Sequence, residues 1–314
     1  MTYATTRALL LLSLAAVAGC TPADARTPQR QTGEPNRMGK IPVIEYHVIG
    51  PGRTEFHRSV DGFKADLELL YRRGYRPVTV AEMNGRRIDR VVPRGYKPFV
   101  AVFDDASASQ FRYLEGAGGK LEIDPTSAVG IWTEFTRTHP GWRNAATFCV
   151  LSAASGGNAF FGNANIQGQK TAWRFPKIQY LVRSGFEICN HTLWHARLDR
   201  YSDAVVQEQI ARLALAVDSA VPGYRIQTFA LPLGIWPKNR SLAVRGSWRD
   251  PRSGRVVQYE HAAVLEVSGG PSVSPFDPRY NAHSIDRVIA HGNAVRNTVE
   301  RLDRERAAYV SAGR

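Results

Sequence analysis

Cysteine is scarce in this chain, with three residues among 314. That number excludes a small scaffold held together by a disulfide framework, so a hydrophobic core must stabilise the fold. Long apolar runs are also missing, because Ala8–Ala18 is too short to cross a bilayer as a stable anchor. No internal repeat is present, which excludes solenoids and propellers.

Acidic residues are outnumbered, with 28 Asp and Glu against 41 Lys and Arg, for a formal charge of +13. Such a balance predicts attraction to polyanions, which for an envelope protein would be anionic lipids, teichoic or lipopolysaccharide-type polymers, or acidic glycans. The basic residues are dispersed and form no nucleic-acid recognition motif, so no nucleic-acid partner is expected.

The amino terminus has the features of a targeting segment. Arg7 precedes the apolar run, which closes on Val17-Ala-Gly-Cys20 and resembles a bacterial lipobox. This resemblance implies a signal peptide over residues 1–19 and a lipid on Cys20 that anchors the protein to a membrane of the cell envelope, on its exported face. The alternative is an ordinary secretory signal. Residues 20–40 are polar and predict a flexible tether.

Residues 41–314 predict one catalytic domain in which strands and helices alternate, as in an α/β barrel or a layered α/β fold. Cys149 and Cys189 both lie in predicted strands. Two buried free thiols are expected there, with a disulfide left open. The predicted strands are Pro42–Val48, Phe99–Phe103, Thr147–Leu151, Phe186–Cys189, Gln227–Leu231, Val256–Val267 and Asp286–Ala290. The predicted helices are Asp61–Arg73, Pro176–Ser184, one capped by Ser202, and Asn293–Tyr309.

Two of these strands end in residues that carry chemistry. One ends in the adjacent carboxylates Asp104 and Asp105, and the other leads into His191 and His195. Two imidazoles and one carboxylate form a metal site with open coordination positions, and active-site residues of α/β folds lie at such strand ends. The second carboxylate would then lie beside the metal. The pattern predicts a metal-dependent hydrolase.

Five segments resemble, in order and approximate spacing, those of the polysaccharide deacetylases, which share the NodB homology domain. They are Ile41–His47, Phe103-Asp104-Asp105, Ala146-Thr-Phe-Cys-Val150, His191-Thr-Leu-Trp-His195 and Thr228-Phe-Ala-Leu-Pro-Leu-Gly234. The likeness runs from about residue 41 to 235 and is poor beyond residue 240. It implies an α/β fold, a distorted and incomplete (β/α) barrel of about seven strands.

The resemblance also implies roles for single residues. Asp105, His191 and His195 would bind a divalent metal, with zinc expected, and Asp104 would be the general base. The backbone N–H of Leu233 would hold the oxyanion, in a loop shaped by Pro232. Trp194 and Trp236 lie beside the motifs and could stack on sugar rings.

The activity implied is removal of N-acetyl groups from an envelope or extracellular polysaccharide by a monomeric enzyme. Two alternatives stay open: an O-acetyl esterase acting on acetylated polysaccharide, and a non-catalytic glycan-binding lipoprotein with the same fold. The intact Asp104, Asp105, His191 and His195 argue against the second alternative.

The chain departs from the family pattern at three places. Ala106 stands where Gly usually follows the two acids, and Ala230 stands where the third motif often has an Arg that orients the base. The usual Leu-x-Leu-His is absent, so His291 is the first candidate for the general acid and His283 the second. His47 follows the first strand and is interpreted as a packed structural residue.

Overall fold

The computed structural model describes Met1, residues 33–155 and residues 157–314. The predicted signal peptide, Cys20 and most of the predicted tether therefore lie outside the described residues. Among those described, no helix combines the length and apolar character needed to cross a membrane.

Fourteen strands and seven α-helices are described. The strands are β1 (Val43–Tyr46), β2 (Val48–Ile49), β3 (His57–Arg58), β4 (Tyr75–Pro77), β5 (Lys97–Asp104), β6 (Tyr113–Glu115), β7 (Leu121–Ile123), β8 (Thr147–Val150), β9 (Glu187–Asn190), β10 (Thr228–Ala230), β11 (Arg245–Arg249), β12 (Val256–Glu260), β13 (Ala263–Gly269) and β14 (Ile285–Ile289). The helices are α1 (Val60–Arg72), α2 (Val80–Asn84), α3 (Ile88–Val91), α4 (Ala128–Thr138), α5 (Arg174–Arg183), α6 (Asp203–Ala220) and α7 (Ala294–Arg304).

Seven parallel strands form a closed ring in the order β1, β14, β13, β10, β9, β8 and β5, and β5 pairs back onto β1. The predicted seven-stranded (β/α) barrel is therefore confirmed, one strand short of the eight-stranded form. β4 pairs with the amino-terminal end of β5. The hairpins β6–β7 and β11–β12 lie outside the ring.

Every residue of β5 is buried, because one face of the strand lines the barrel and the other packs against the surrounding helices. Val100 and Val102 belong to one buried cluster, whereas Phe99 and Phe103 belong to another that includes the apolar face of α1. A continuous apolar run is what such a strand requires, and it explains why this segment was predictable from the sequence.

Local signals fix the helix ends. The Ser59 hydroxyl accepts a hydrogen bond from Gly62 N–H at the start of α1, and Ser202 caps α6 as predicted. After α1 the chain reverses direction at Gly74, whose positive φ of 76° favours glycine.

The stretch Val256–Val267, predicted as one strand, is two strands. β12 alternates exposed and buried residues and pairs antiparallel with β11, whereas β13 enters the barrel. Between them the buried His261 ring contacts the Ala243 carbonyl oxygen at 2.8 Å through Nδ1. The change from alternating to continuous burial marks the boundary between a hairpin and a parallel barrel strand.

The predicted final helix is too long at its carboxyl end. α7 ends at Arg304, after which Arg306 adopts a φ of 51° and the chain becomes extended. Val310 then forms a β-bridge with Asn36, and Ala308 forms one with Lys40. Residues 36–40 of the predicted tether thus pack against the carboxyl terminus of the domain.

Cys149 and Cys189 form a disulfide, so the expectation of two free thiols is wrong. The two residues are direct partners in the parallel pair β8 and β9. Strand register brings the two side chains together, and register between strands 40 residues apart is not visible in the sequence.

Candidate catalytic and metal site

The predicted chemical residues gather at one rim of the barrel. Asp104 is the last residue of β5 and Asp105 follows it, whereas His191 directly follows β9. Because all barrel strands are parallel, their carboxyl ends meet at the same rim. This rim also receives the end of β1, with Glu45 and His47.

Asp105, His191 and His195 form a compact triad. Asp105 Oδ1 lies 3.4 Å from His191 Nε2 and 3.5 Å from His195 Nε2. The three potential ligand atoms all lie within 4.8 Å of one another. The structure thus brings together the three residues that the sequence predicts as metal ligands.

The triad fits a divalent cation. His191 Nδ1 lies 2.9 Å from the Ala230 carbonyl oxygen, so this nitrogen carries the proton and Nε2 keeps its lone pair. His191 Nε2 and Asp105 Oδ1 are both buried, and neither has a hydrogen-bond partner among the described residues. Buried acceptors that converge on one point without donors are costly unless a cation satisfies them. Two imidazoles and one carboxylate suit zinc and related metals.

Electrostatics keep Asp105 and His195 in the forms that bind a metal. Burial opposes the charge on Asp105, but the nearby rings of His191, His47 and His195 hold the pKa of this carboxyl well below its usual value. Burial and the neighbouring His191 lower the pKa of His195 to about 4, so that ring is neutral near pH 7. The pKa of His191 is raised despite its burial, because Asp104 and Asp105 are close.

The turn that carries the two histidines is stabilised by its own polar residues. Asn190 Oδ1 accepts the Thr192 N–H at 2.9 Å, and Thr192 Oγ1 accepts the N–H groups of His195 and Ala196. Thr192 and His195 both have positive φ, at 73° and 67°. Left-handed backbone at residues other than glycine is costly and is concentrated at functional sites.

The first motif is strained in the same way. Asp105 and Ala106 have φ values of 76° and 49°. Ala106 therefore adopts a backbone region that glycine would enter freely. Its carbonyl oxygen accepts the Phe161 N–H at 2.9 Å. This bond ties Phe161 to the motif.

Two buried charges that the sequence reasoning missed support Asp104. Arg287 Nη1 lies 2.8 Å from Asp104 Oδ2, and Arg287 Nη2 lies 2.9 Å from Glu45 Oε2. All three residues are no more than 2% exposed. Arg287 thus contacts Asp104, the predicted base, whereas Ala230 stands where the family pattern often has an arginine. Glu45 in β1 and Arg287 in β14 are charged residues inside otherwise apolar strands. That pattern in the sequence could have indicated a buried ion pair.

This contact affects the charge state of Asp104. Although burial favours the neutral acid, Arg287 and His191 hold the pKa of Asp104 below its usual value. Burial raises the pKa of Glu45 to about 8, against the opposing charge of Arg287. The arginine thus stabilises an ionised Asp104 in the barrel interior.

His47 differs in its surroundings from His291 and His283, the two predicted general acids. His47 Nε2 lies 3.3 Å from Glu45 Oε1, and one ligand-type atom of each of Glu45, His47 and Asp104 lies within 4.8 Å of the others. Gln110 joins the two strand ends by donating to the carbonyl oxygens of His47 and Asp104. His291 and His283 are exposed, in the loops after and before β14.

The residues predicted to contact substrate differ in accessibility. Leu233 has a φ of 59° and is 53% exposed, and Trp194 is 41% exposed. Pro232 is buried and so acts on the shape of the loop. Trp236 is half-buried, with its indole N–H donated to Glu266 Oε1 at 3.0 Å.

Comparisons with known proteins agree with this geometry. Residues 144–245 match the family model for polysaccharide deacetylase. No curated protein matches the chain.

Three solved structures share the fold. Streptococcus pyogenes deacetylase PplD, in complex with acetate, superposes with a TM-score of 0.56 and 14% identity, over 84% of this chain and 98% of that one. A polysaccharide deacetylase from Bacillus cereus superposes with a TM-score of 0.56 and 17% identity, over 83% of this chain and 69% of that one. IcaB from Ammonifex degensii superposes with a TM-score of 0.55 and 16% identity, over 83% of this chain and 96% of that one.

The predicted resemblance and the barrel type are thereby confirmed. Residues 144–245 are thus similar to the polysaccharide deacetylases, and the chain folds as a NodB-type barrel.

Proposed function

We propose that this protein is a metal-dependent hydrolase that removes N-acetyl groups from an envelope or extracellular polysaccharide. The observation that carries the proposal is the convergence of unpartnered buried acceptors of Asp105 and His191 beside Asp104, which Arg287 holds ionised. Zinc is the metal that the family resemblance implies, and two imidazoles with one carboxylate suit it. When bound, such a cation supplies Lewis acidity, which activates water and polarises an acetyl carbonyl.

Asp104 is the general base in this proposal. Its Oδ2 is held by Arg287 and lies 4.0 Å from His191 Nε2. Its Oδ1 is buried and has no hydrogen-bond partner among the described residues, so it can accept a proton from the attacking water.

We infer that His47 donates a proton to the leaving amine, against the effect of burial, which lowers the pKa of its ring. Its ring is largely buried, within ion-pair distance of Glu45, and its Nδ1 has no hydrogen-bond partner among the described residues. A chain of contacts thus links the base, Arg287, Glu45 and the acid. His291 is the alternative donor and lies exposed after the neighbouring strand.

The oxyanion would be held by the backbone N–H of Leu233, whose left-handed conformation shapes the loop after β10. The exposed Trp194, between the two histidine ligands, offers an aromatic face to a sugar ring. Both assignments depend on position in the matching motifs.

The test combines metal analysis with acetate release from a glycan panel. Purified residues 33–314 should contain about one divalent transition metal per chain and release acetate from N-acetylated oligosaccharides. Release from O-acetylated glycans alone would replace the amidase with an esterase. Binding of glycans without any release would leave a binding protein.

We also propose that Cys20 is lipidated and anchors the mature monomer to a membrane of the cell envelope. Val17-Ala-Gly-Cys20 and the polar residues after it support this. Wild-type protein should partition with membranes, and Cys20→Ser should yield soluble or unprocessed protein. Soluble wild-type protein that begins at another residue would contradict the anchor.

A further inference from the structure

We propose that a cleft beside the third motif binds a carboxylate-bearing sugar of the substrate glycan. This inference rests on the proposed function and names its substrate class as an acidic glycan. The cleft has a volume of about 450 Å³, within the usual range for small-ligand sites. Its polar and aromatic lining comprises Trp236, Arg240, Ser241, Asn281, His283 and Ser284.

The cleft is close to the reacting groups along the chain. Trp236 follows Leu233 by three residues, which separates their Cα atoms by at most ~10 Å. A glycan whose acetamido group reaches Leu233 therefore has Trp236 within reach of a neighbouring sugar. The cleft is placed to contact a neighbouring sugar.

The cleft presents an ordered cation. The Arg240 guanidinium carbon lies 4.0 Å from the centroid of the Trp236 ring. The indole is fixed in turn, because Glu266 Oε1 accepts its N–H at 3.0 Å and the Ser284 hydroxyl at 2.8 Å. A stacked guanidinium keeps its N–H groups at the edge, where they match a carboxylate in two parallel hydrogen bonds.

The charge of Arg240 is available to a ligand. In the described part of the chain, no carboxylate lies within 4 Å of its guanidinium nitrogens. The nearby Glu266 carboxylate is already engaged by Trp236 and Ser284 through Oε1. Asn281 and Ser241 are exposed at the cleft and can hydrogen-bond sugar hydroxyls.

The test compares two tetrasaccharides that differ in charge. One is a hyaluronan fragment, which carries both acetamido groups and carboxylates, and the other is neutral N-acetylchitotetraose. Calorimetry measures both affinities on Asp104→Asn protein, so binding does not depend on turnover. A charge-assisted pair predicts a roughly tenfold preference for the acidic fragment at low salt, which weakens as salt rises.

Arg240→Gln should reduce that preference to near one, and Arg240→Lys, which keeps the charge without the fork, should retain part of it. Arg252→Gln is the matched control, because it removes the same charge from the exposed turn between β11 and β12. Melting curves show whether each variant is folded.

An equal preference in wild-type and Arg240→Gln protein, or no preference in wild type, would overturn the subsite. Arg240-dependent binding without acetate release from any glycan would sustain the subsite while refuting the deacetylase. The two proposals therefore fail separately.

Discussion

The two ends of the barrel interior both bury carboxylates, but they satisfy them differently. At the amino-terminal end, Glu187 Oε2 accepts from the Thr147 hydroxyl at 2.9 Å and from Ala81 N–H at 3.0 Å, and Oε1 accepts from the Thr228 hydroxyl at 2.5 Å. Each oxygen of this carboxylate has a neutral donor. Burial raises its pKa, as expected without a cation partner.

At the carboxyl-terminal end, Asp104 and Glu45 share Arg287, and Asp104 Oδ1 and Asp105 Oδ1 have no donor among the described residues. Burial of an acid is thus not itself a sign of function in this barrel. The distinguishing features are unsatisfied acceptors, charged partners and left-handed backbone at Asp105. Breaking each end separately tests this distinction.

The largest effect is expected from His191→Ala combined with His195→Ala. Loss of two ligands should abolish metal binding and lower acetate release about a thousandfold or more, because the cation's contribution is several kcal/mol. Metal content and circular dichroism check this, with His139→Ala as the control at a histidine paired with Glu68. Full metal occupancy in the double variant would refute the site.

Asp104→Asn should lower turnover by about 10²–10⁴-fold while metal remains bound, because Asn keeps the shape of Asp but cannot accept the proton. The matched variant is Asp105→Asn, which should instead weaken metal binding. The pair separates base from ligand at adjacent positions. Wild-type turnover in Asp104→Asn would show that another group is the base.

At the carboxyl-terminal end of the barrel, the sequence predicted the site residues that short motifs identify. Asp104, Asp105, His191 and His195 follow apolar strands, and the carboxyl ends of parallel strands share one rim. The sequence could not show which strands are neighbours in the ring. Glu45 and Arg287 lie on adjacent strands at opposite ends of the chain.

Register explains the other differences. Cys149 and Cys189 are partners only because β8 and β9 align those two positions. His47 and His291 likewise follow neighbouring strands, β1 and β14. The choice between them depends on whether the segment after each strand turns toward the barrel rim or toward solvent. Sequence patterns predict that strands exist better than they predict such alignment.

A paired test decides between the two donors. His47→Ala should depress turnover of an N-acetyl glycan by about 10²-fold, and that of an activated aryl acetate much less, because an aryl leaving group needs no proton. His291→Ala should change both rates little. The reverse pattern would assign the acid to His291, and equal losses on both substrates in His47→Ala would assign it a structural role.

Arg287→Met should leave Asp104 and Glu45 buried without their cation, a change that costs about 3–5 kcal/mol of stability. Because this variant could unfold, Arg287→Lys is the informative partner: it keeps the charge but cannot span both carboxylates with one fork. We expect Arg287→Lys to fold, retain metal and lose most turnover. Unchanged turnover in folded Arg287→Lys would show that the two-carboxylate contact is dispensable.

The smallest effect on activity is expected at the opposite end. Glu187→Gln should change acetate release less than twofold and stability by about 1 kcal/mol, because its partners are neutral hydroxyls and one N–H.

Since burial raises the pKa of Glu187, the folded state binds its proton more tightly than the unfolded state. Wild-type stability relative to Glu187→Gln should therefore fall as pH rises from about 4.5 through the folded pKa. Urea unfolding of both proteins across that range measures it. If the stability of wild type relative to Glu187→Gln instead rose with pH, or if Glu187→Gln lost most of its turnover, the two ends of the barrel would not be distinct.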